Sequence, residues 1–188
     1  MVVVPALRTR RLLLRRPRMS DADGFVKYFQ DRQITHFIPL IPAPYKRKHA
    51  VAWLRLVSRA PQKRPEGLSY PMTIEMDGEM VGGIGMRWEA DDKTANIGYW
   101  IAAPFRGQGL ATEAARAVTS FAFSKLSAEK VWATADADNG PSHRVLNHCG
   151  MRREGTLRNH TVWRGVRRDV CYYGVLRKEW ERRRKSWE

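Results

Sequence analysis

The stretch Arg106-Gly107-Gln108-Gly109-Leu110-Ala111-Thr112-Glu113 sets two glycines one residue apart just ahead of a periodic apolar run. Glycine lacks a Cβ, so the backbone there can turn tightly and approach a ligand closely. The first N–H groups of a helix have no internal acceptor, and the helix dipole is positive at that end. Together these features predict an anion cradle over Gly107, Gln108, Gly109, Leu110, Ala111 and Thr112, with Arg106 as a charged fork suited to phosphate oxygens. A plain surface turn would use the same glycines, so the flanking residues decide.

Upstream, Ala95-Asn96-Ile97-Gly98-Tyr99-Trp100-Ile101-Ala102 is rich in β-branched and aromatic residues and reads as a strand that stops before Pro104. Downstream, Leu110, Ala114, Ala117, Val118, Phe121 and Ala122 recur at helical spacing. Strand, glycine loop and packed helix thus follow in order. A dinucleotide-binding turn wants G-x-G-x-x-G, and position 112 is Thr. A nucleoside-triphosphate loop wants Gly-Lys-Ser/Thr, which does not follow.

Thr9-Arg10-Arg11-Leu12, Ile97-Gly98-Tyr99-Trp100, the glycine loop, Ala111-Thr112-Glu113-Ala114, Asn139 with Ser142, and Glu154-Gly155 occur in that order. On these motifs the chain resembles the GNAT superfamily of acyl-CoA-dependent N-acetyltransferases, and within it the RimJ/RimL-like branch that acetylates ribosomal-protein N-termini. The resemblance implies an α/β GNAT fold: about seven strands in a mixed, mostly antiparallel sheet, splayed at its centre and flanked by about four helices. It implies acetyl-CoA as cosubstrate, with the pyrophosphate on the 106–112 loop and the pantetheine arm along the strand edge at Trp100, Ile101 and Ala102. It further implies that Asn139 contacts CoA or an ordered water near the sulfur, and that Ser142 donates to the thiolate leaving group. Read from the residues alone, Asn139 and Ser142 are equally the caps of a helix start.

Many relatives of this branch carry Glu before Ile-Gly-Tyr, whereas this chain has Asn96. An amide cannot take a proton at neutral pH, so Asn96 could only orient a water or the acceptor amine. Glu75, Glu89 and Asp136, at strand ends, are the other candidate bases, and Tyr99 and Tyr172 the other candidate acids. Glu113 reads as a carboxylate complementing the helix dipole. Arg158 and Asp169 either pair with each other or line the acceptor mouth.

The 188 residues suit one domain, 1–188, with a charged tail over 178–188. Ser20-Asp21-Ala22-Asp23 reads as a capping box opening a helix with Ala22, Phe25, Val26 and Phe29 on one face. Ala50, Trp53, Leu54 and Val57 mark a second helix, and Asn139 to Cys149 a short one ended by Gly150. Strands are expected at Arg11 to Arg16, Tyr70 to Met76, Glu79 to Trp88, Thr94 to Ala102, Lys130 to Ala135, Arg152 to His160 and Asp169 to Leu176. Asp77-Gly78 and Asp91-Asp92-Lys93 read as hairpin turns. Phe37 to Tyr45 and Ala60 to Gly67 read as loops.

Cys149 and Cys171 sit in apolar patterns and read as core thiols rather than a disulfide. The five histidines show neither metal-site spacing nor cysteine partners, so no metal is expected. Met1 to Leu7 is too short to span a membrane, and a cytoplasmic protein without membrane contact is expected. The net charge of +15 favours encounter with polyanions, of which CoA, ribosomal RNA and acidic peptides qualify. No RNA-binding module signature accompanies it. Monomer and homodimer both remain open.

The leading functional reading is acetyl transfer from acetyl-CoA to a primary amine, a protein N-terminal α-amine above all, by direct attack in a ternary complex. The alternatives are a small-molecule N-acetyltransferase acting on an amino acid, polyamine or aminoglycoside, and a non-catalytic CoA-binding or ribosome-associated protein. Polycations suit so basic a chain poorly unless its carboxylates cluster.

Overall fold

The computed structural model describes residues 6–38, 40–58, 62–64, 67–184 and 187. Its strands are β1 (Leu7–Arg8), β2 (Leu13–Arg15), β3 (Gln62–Arg64), β4 (Gly67–Met76), β5 (Glu79–Glu89), β6 (Thr94–Ile101), β7 (Lys130–Asp136), β8 (Arg152–Trp163) and β9 (Val166–Leu176). The helices are α1 (Ala22–Tyr28), α2 (Arg32–Phe37), α3 (Arg47–Val57), α4 (Leu110–Lys125), α5 (Gly140–His148) and α6 (Arg177–Arg183). The strands form one sheet in the order β1-β2-β4-β5-β6-β7-β9-β8, with β3 added on β4.

The seven expected strands and four expected helices are all present, and the structure adds four elements. β1 and β3 are two and three residues long, too short to carry a hydrophobic period. β3 lies within the segment expected to be a loop, of which Ala60, Pro61, Pro65 and Glu66 fall outside the described residues. α2 closes Arg32–Phe37, a polar stretch whose N-cap Asp31 accepts the Gln33 amide at 2.8 Å. α6 corrects part of the charged tail: burial of Trp180, stacked on Phe123 of α4 at 5.1 Å, pins Arg177–Arg183 to the core.

Strand alternation sends Ile97, Ile101, Val131, Ala133, Cys171, Tyr173 and Val175 to one face, under α4, α5 and α6. The opposite face carries a smaller cluster in which Phe25, Phe29, Ile34, Ala50 and Leu54 of α1–α3 pack with Met80. Asp77 and Gly78 both take positive φ, +51° and +82°, as the tight β4–β5 turn requires.

β6 and β7 run parallel, which is why α4 must cross over between them. Their pairing covers only Thr94, Ala95 and Asn96 against Lys130, Val131 and Trp132. Beyond Asn96 the strands part. β6 stays paired to β5 as far as Ile101 against Gly82, and β7 stays paired to β9 as far as Asp136 against Val170. The sheet is therefore split at its centre, as expected.

A buried charge network anchors the entry to α1. Arg15 donates from Nη1 and Nη2 to Asp21 at 2.9 and 2.8 Å and from Nε to Glu75 at 2.5 Å. Asp21 also accepts from the Arg18 amide at 2.9 Å and the Thr73 hydroxyl at 2.8 Å. The expected capping box is thus displaced by one contact: Asp21 serves Arg15, Arg18 and Thr73 rather than the first turn of α1. Burial raises the Asp21 carboxyl, but the hydrogen bonds from Arg15, Arg18 and Thr73 outweigh it and hold the group below its usual range. Asp21→Asn should therefore destabilise the fold by about 3 kcal/mol in urea denaturation at pH 7, since it leaves Arg15 buried with half its charge partners. A depressed carboxyl stabilises fully above its unfolded value and loses that contribution as pH falls, so the gap to wild type should narrow below about pH 4.

Candidate active site at the strand split

Gly107 and Gly109 both hold φ at +76°, a conformation open to glycine and strained for other residues. Gly109 immediately precedes α4, whose first internal bond runs from the Glu113 amide to the Gly109 carbonyl at 3.0 Å. The amides of Leu110, Ala111 and Thr112 lie ahead of that bond, the geometry of an anion cradle. Glu113 has the structural role expected of it. It accepts from Thr9 Oγ1 at 2.6 Å, the Arg11 amide at 2.9 Å and Arg11 Nε at 2.7 Å. These contacts outweigh burial and hold its carboxyl below the ordinary range.

Arg106 does more than was expected of a phosphate fork. Its Nε donates to the Ile101 carbonyl at 3.0 Å, Nη1 to Gln33 Oε1 and Nη2 to Asp31 Oδ2, both at 2.6 Å. The guanidinium ties the end of β6 to the first turn of α2. Gln108 is exposed and reaches back to the Pro104 carbonyl. The Ala102 amide is bonded to the Val81 carbonyl at 2.9 Å, on the β5 side of the strand.

Two cavities flank the split. One, of about 470 Å³, runs from Arg106, Gly107, Gly109 and Thr112 past Ile101 and Pro141. The other, of about 970 Å³, lies on the opposite face between α1–α3 and the β9 side of the sheet. Tyr99, Trp100, Asn139 and Ser142 line both. The cavities meet there, where β6 and β7 have separated.

At this junction the Tyr99 hydroxyl lies 3.0 Å from Ser142 Oγ and donates toward the Ser142 carbonyl at 3.3 Å. Burial pushes the Tyr99 phenol far above its ordinary value, and the contact with Ser142 offsets only part of that. Tyr99 thus keeps its proton at any physiological pH. Asn139 caps α5 by accepting the Ser142 amide at 3.2 Å, so it is both a cap and a lining residue. Nearby Cys149 is buried, its thiol directed at the Thr112 carbonyl at 3.7 Å and pushed up to about 12 by burial. It is not a nucleophile.

Asn96 stands at the last β6–β7 pair and donates from Nδ2 to the Trp132 carbonyl at 3.3 Å. It lines neither cavity. Of the candidate bases, Glu75 is held by Arg15, and Glu89 contacts Arg87 and Thr94. Asp136 lines the larger cavity, 3.2 Å from Arg168. Asp169 accepts the Asn159 amide at 2.8 Å rather than pairing with Arg158. Tyr172 lines the larger cavity, stacked on Trp132 at 5.9 Å. Sequence reading missed the Arg106–Asp31 tie and the Asp136–Arg168 pair because both join residues far apart in the chain with no local signal.

A split sheet with an anion cradle opening on one side and a broad cavity on the other is the architecture of a two-substrate group-transfer enzyme. The chain belongs to the GNAT acetyltransferase family: the family's acetyltransferase (GNAT) domain model matches residues 11–152. It is 26% identical over 172 residues to the uncharacterized N-acetyltransferase YnaD of Bacillus subtilis, covering 92% of this chain and 97% of that one. Mycobacterium smegmatis RimJ, solved in complex with CoA-disulfide, superposes with a TM-score of 0.74 at 29% identity over 89% of this chain and 83% of RimJ. RimL, a ribosomal L7/L12 alpha-N-protein acetyltransferase solved with coenzyme A, shares the fold with a TM-score of 0.80 at 18% identity, over 92% of this chain and 98% of RimL.

If Asn96 holds the strands rather than moving a proton, Asn96→Ala should lower stability by about 1 kcal/mol in thermal denaturation. The pH profile of acetyl transfer should keep its shape. A displaced profile would instead assign Asn96 to the proton path.

Proposed function

We propose that the chain transfers the acetyl group of acetyl-CoA to a primary amine, the α-amine of a protein N-terminus, by direct attack in a ternary complex. The observation that carries this reading is the meeting of two cavities at Tyr99 and Ser142. One cavity leads to a cradle for a pyrophosphate and the other is wide enough for the end of a polypeptide. The exposed Arg153, Arg158, Arg164 and Arg167 of the β8–β9 hairpin support an acceptor carried on a polyanion such as the ribosome.

The residues fit CoA. Gly107, Gly109 and the amides of 110–112 would hold the pyrophosphate, and the open edge of β6 at Trp100 and Ile101 the pantetheine arm. When bound, acetyl-CoA supplies an activated thioester at the junction. The chain then manages two protons. Asp136, facing the acceptor cavity, takes the proton of the attacking amine, directly or through water. The Tyr99 hydroxyl, backed by Ser142 Oγ, presents the other to the departing sulfur. Positioning supplies the rest of the rate, since the split holds both partners at one point.

Acetyl-CoA should raise the melting temperature of the wild type, and Gly109→Val, strained at +76°, should weaken its binding at least tenfold by calorimetry. Tyr99→Phe should lower kcat for thiol release from an N-terminal peptide by about 100-fold with CoA affinity kept. An unchanged kcat would remove Tyr99 from the reaction, and no thermal shift with acetyl-CoA would overturn the proposal.

A further inference from the structure

The floor of the larger cavity has an unusual bareness. Pro71 on β4 pairs with Gly85 on β5, and Gly85 pairs with Gly98 on β6. The three form a row across the sheet with no side chain longer than a proline ring, and all three line the cavity. A Cβ placed on Gly85 or Gly98 would meet nothing within 4 Å, so the space above the row is open rather than filled by a neighbour. Both glycines lie outside the positive-φ region, and no backbone turn demands them. The row is vacant floor.

Its walls are aromatic. Trp100 lies across Gly83, where a Cβ would come within 2.6 Å of the indole Nε1. Its ring meets Phe29 edge-on at 4.8 Å, and Phe25 meets Trp53 at 5.0 Å above it. On the far side of the split stand Val170 and Tyr172. Among the described residues that line the cavity the only carboxylate is Asp136, already paired with Arg168. One ammonium group can be received there, but a second would meet an arginine. Gly98 precedes Tyr99 in the strand, their Cα atoms about 3.8 Å apart; the Tyr99 side chain leaves on the other face, and its hydroxyl stands at the split where the two cavities meet.

We infer that the acceptor carries a bulky apolar side chain, aromatic or branched aliphatic, on the carbon bearing its amine, and that this side chain lies on the Pro71–Gly85–Gly98 row. The inference rests on the amine-acetylation reading above and adds the class of acceptor. An acceptor that reaches the Tyr99–Ser142 junction from the larger cavity passes the Gly98 end of the row, and the substituent beside its amine has that open floor to occupy. A ring there removes most of its surface from water against Trp100, Tyr172 and the sheet, which favours it over glycine or serine. Polyamines, aminoglycosides and lysine-led peptides would bring extra cations against Arg168 without a free carboxylate to receive them.

The test is a panel of peptides identical beyond the first residue and led by Phe, Leu, Gly, Ser or Lys, together with spermidine and kanamycin, followed by thiol release. Phe- and Leu-led peptides should exceed the Gly-led peptide in kcat/KM by about tenfold or more, with Lys-led peptide, spermidine and kanamycin below it. Gly85→Val and Gly98→Val, which suit a strand, should each collapse the Phe-to-Gly preference; melting temperatures report their folding. Thiol release that favours Gly- or Lys-led peptide or a polyamine would overturn the pocket and leave acetyl transfer standing. Should no amine release thiol, the transfer reading falls, and the pocket is judged by calorimetry on the CoA-loaded wild type. A Kd for the Phe-led peptide at least tenfold below that of the Gly-led one sustains it, and equal values overturn it.

Discussion

The parting of β6 from β7 after Asn96 is the constraint on which the rest of the molecule depends. Had the parallel pairing continued, Ile97–Ile101 would lie buried between two strands, and no passage would join the two faces of the sheet. Three paired residues are enough to set the direction of both strands, and the Asn96 side chain adds a fourth tie at the last of them. Past that point the outer strands take over: β5 keeps β6 straight, and β9 keeps β7 straight. The gap is held open by strong antiparallel partners on either side rather than by anything inside it.

The high positive charge is used internally as much as externally. Arg15 locks α1 to β2 and β4 through Asp21 and Glu75, Arg11 clamps the first turn of α4 through Glu113, and Arg106 joins β6 to α2 through Asp31. Each of these pairs is at least partly buried, and all but Arg15–Glu75, which spans the paired strands β2 and β4, join segments that hydrogen-bonded secondary structure leaves unconnected. Arg106 is the most consequential, because two of its donors fix the cradle's first residue to the start of the helix that roofs both cavities and the third fixes it to the end of β6. Anything anionic that draws on Arg106 competes with Asp31 for it.

Local signals made much of this legible. The glycine loop stood out because its backbone conformation admits few other residues, and the Asp77-Gly78 turn for the same reason. The long strands and the α4 stripe carry their period in plain view. What could not be read is non-local. Asn96 looked like a substituted base because the branch that the chain resembles often carries Glu before Ile-Gly-Tyr, whereas its partner is the Trp132 carbonyl on another strand. Arg106 looked like a free fork for the same reason. Gly98 stood out in sequence only as part of Ile97-Gly98-Tyr99-Trp100 and Gly85 not at all; the register is what sets them opposite each other. The buried Trp180 was hidden among the charges of 178–184, where the other six residues are all Lys, Arg or Glu.

These points together bear on the proton route. A carboxylate at position 96 would lie beside the Trp132 carbonyl, an acceptor facing an acceptor, and would repel the strand that asparagine holds. Asparagine at that position therefore serves the split and leaves the amine's proton to a group on its other bank. On the proposed mechanism Asp136 is that group. It ends β7 and lines the acceptor cavity, with the Arg168 guanidinium 3.2 Å away. On the proposed mechanism, then, the base and the acid stand on opposite sides of the gap, Asp136 on β7 and Tyr99 on β6. The separation of the strands sets the distance across which the acetyl group must be presented.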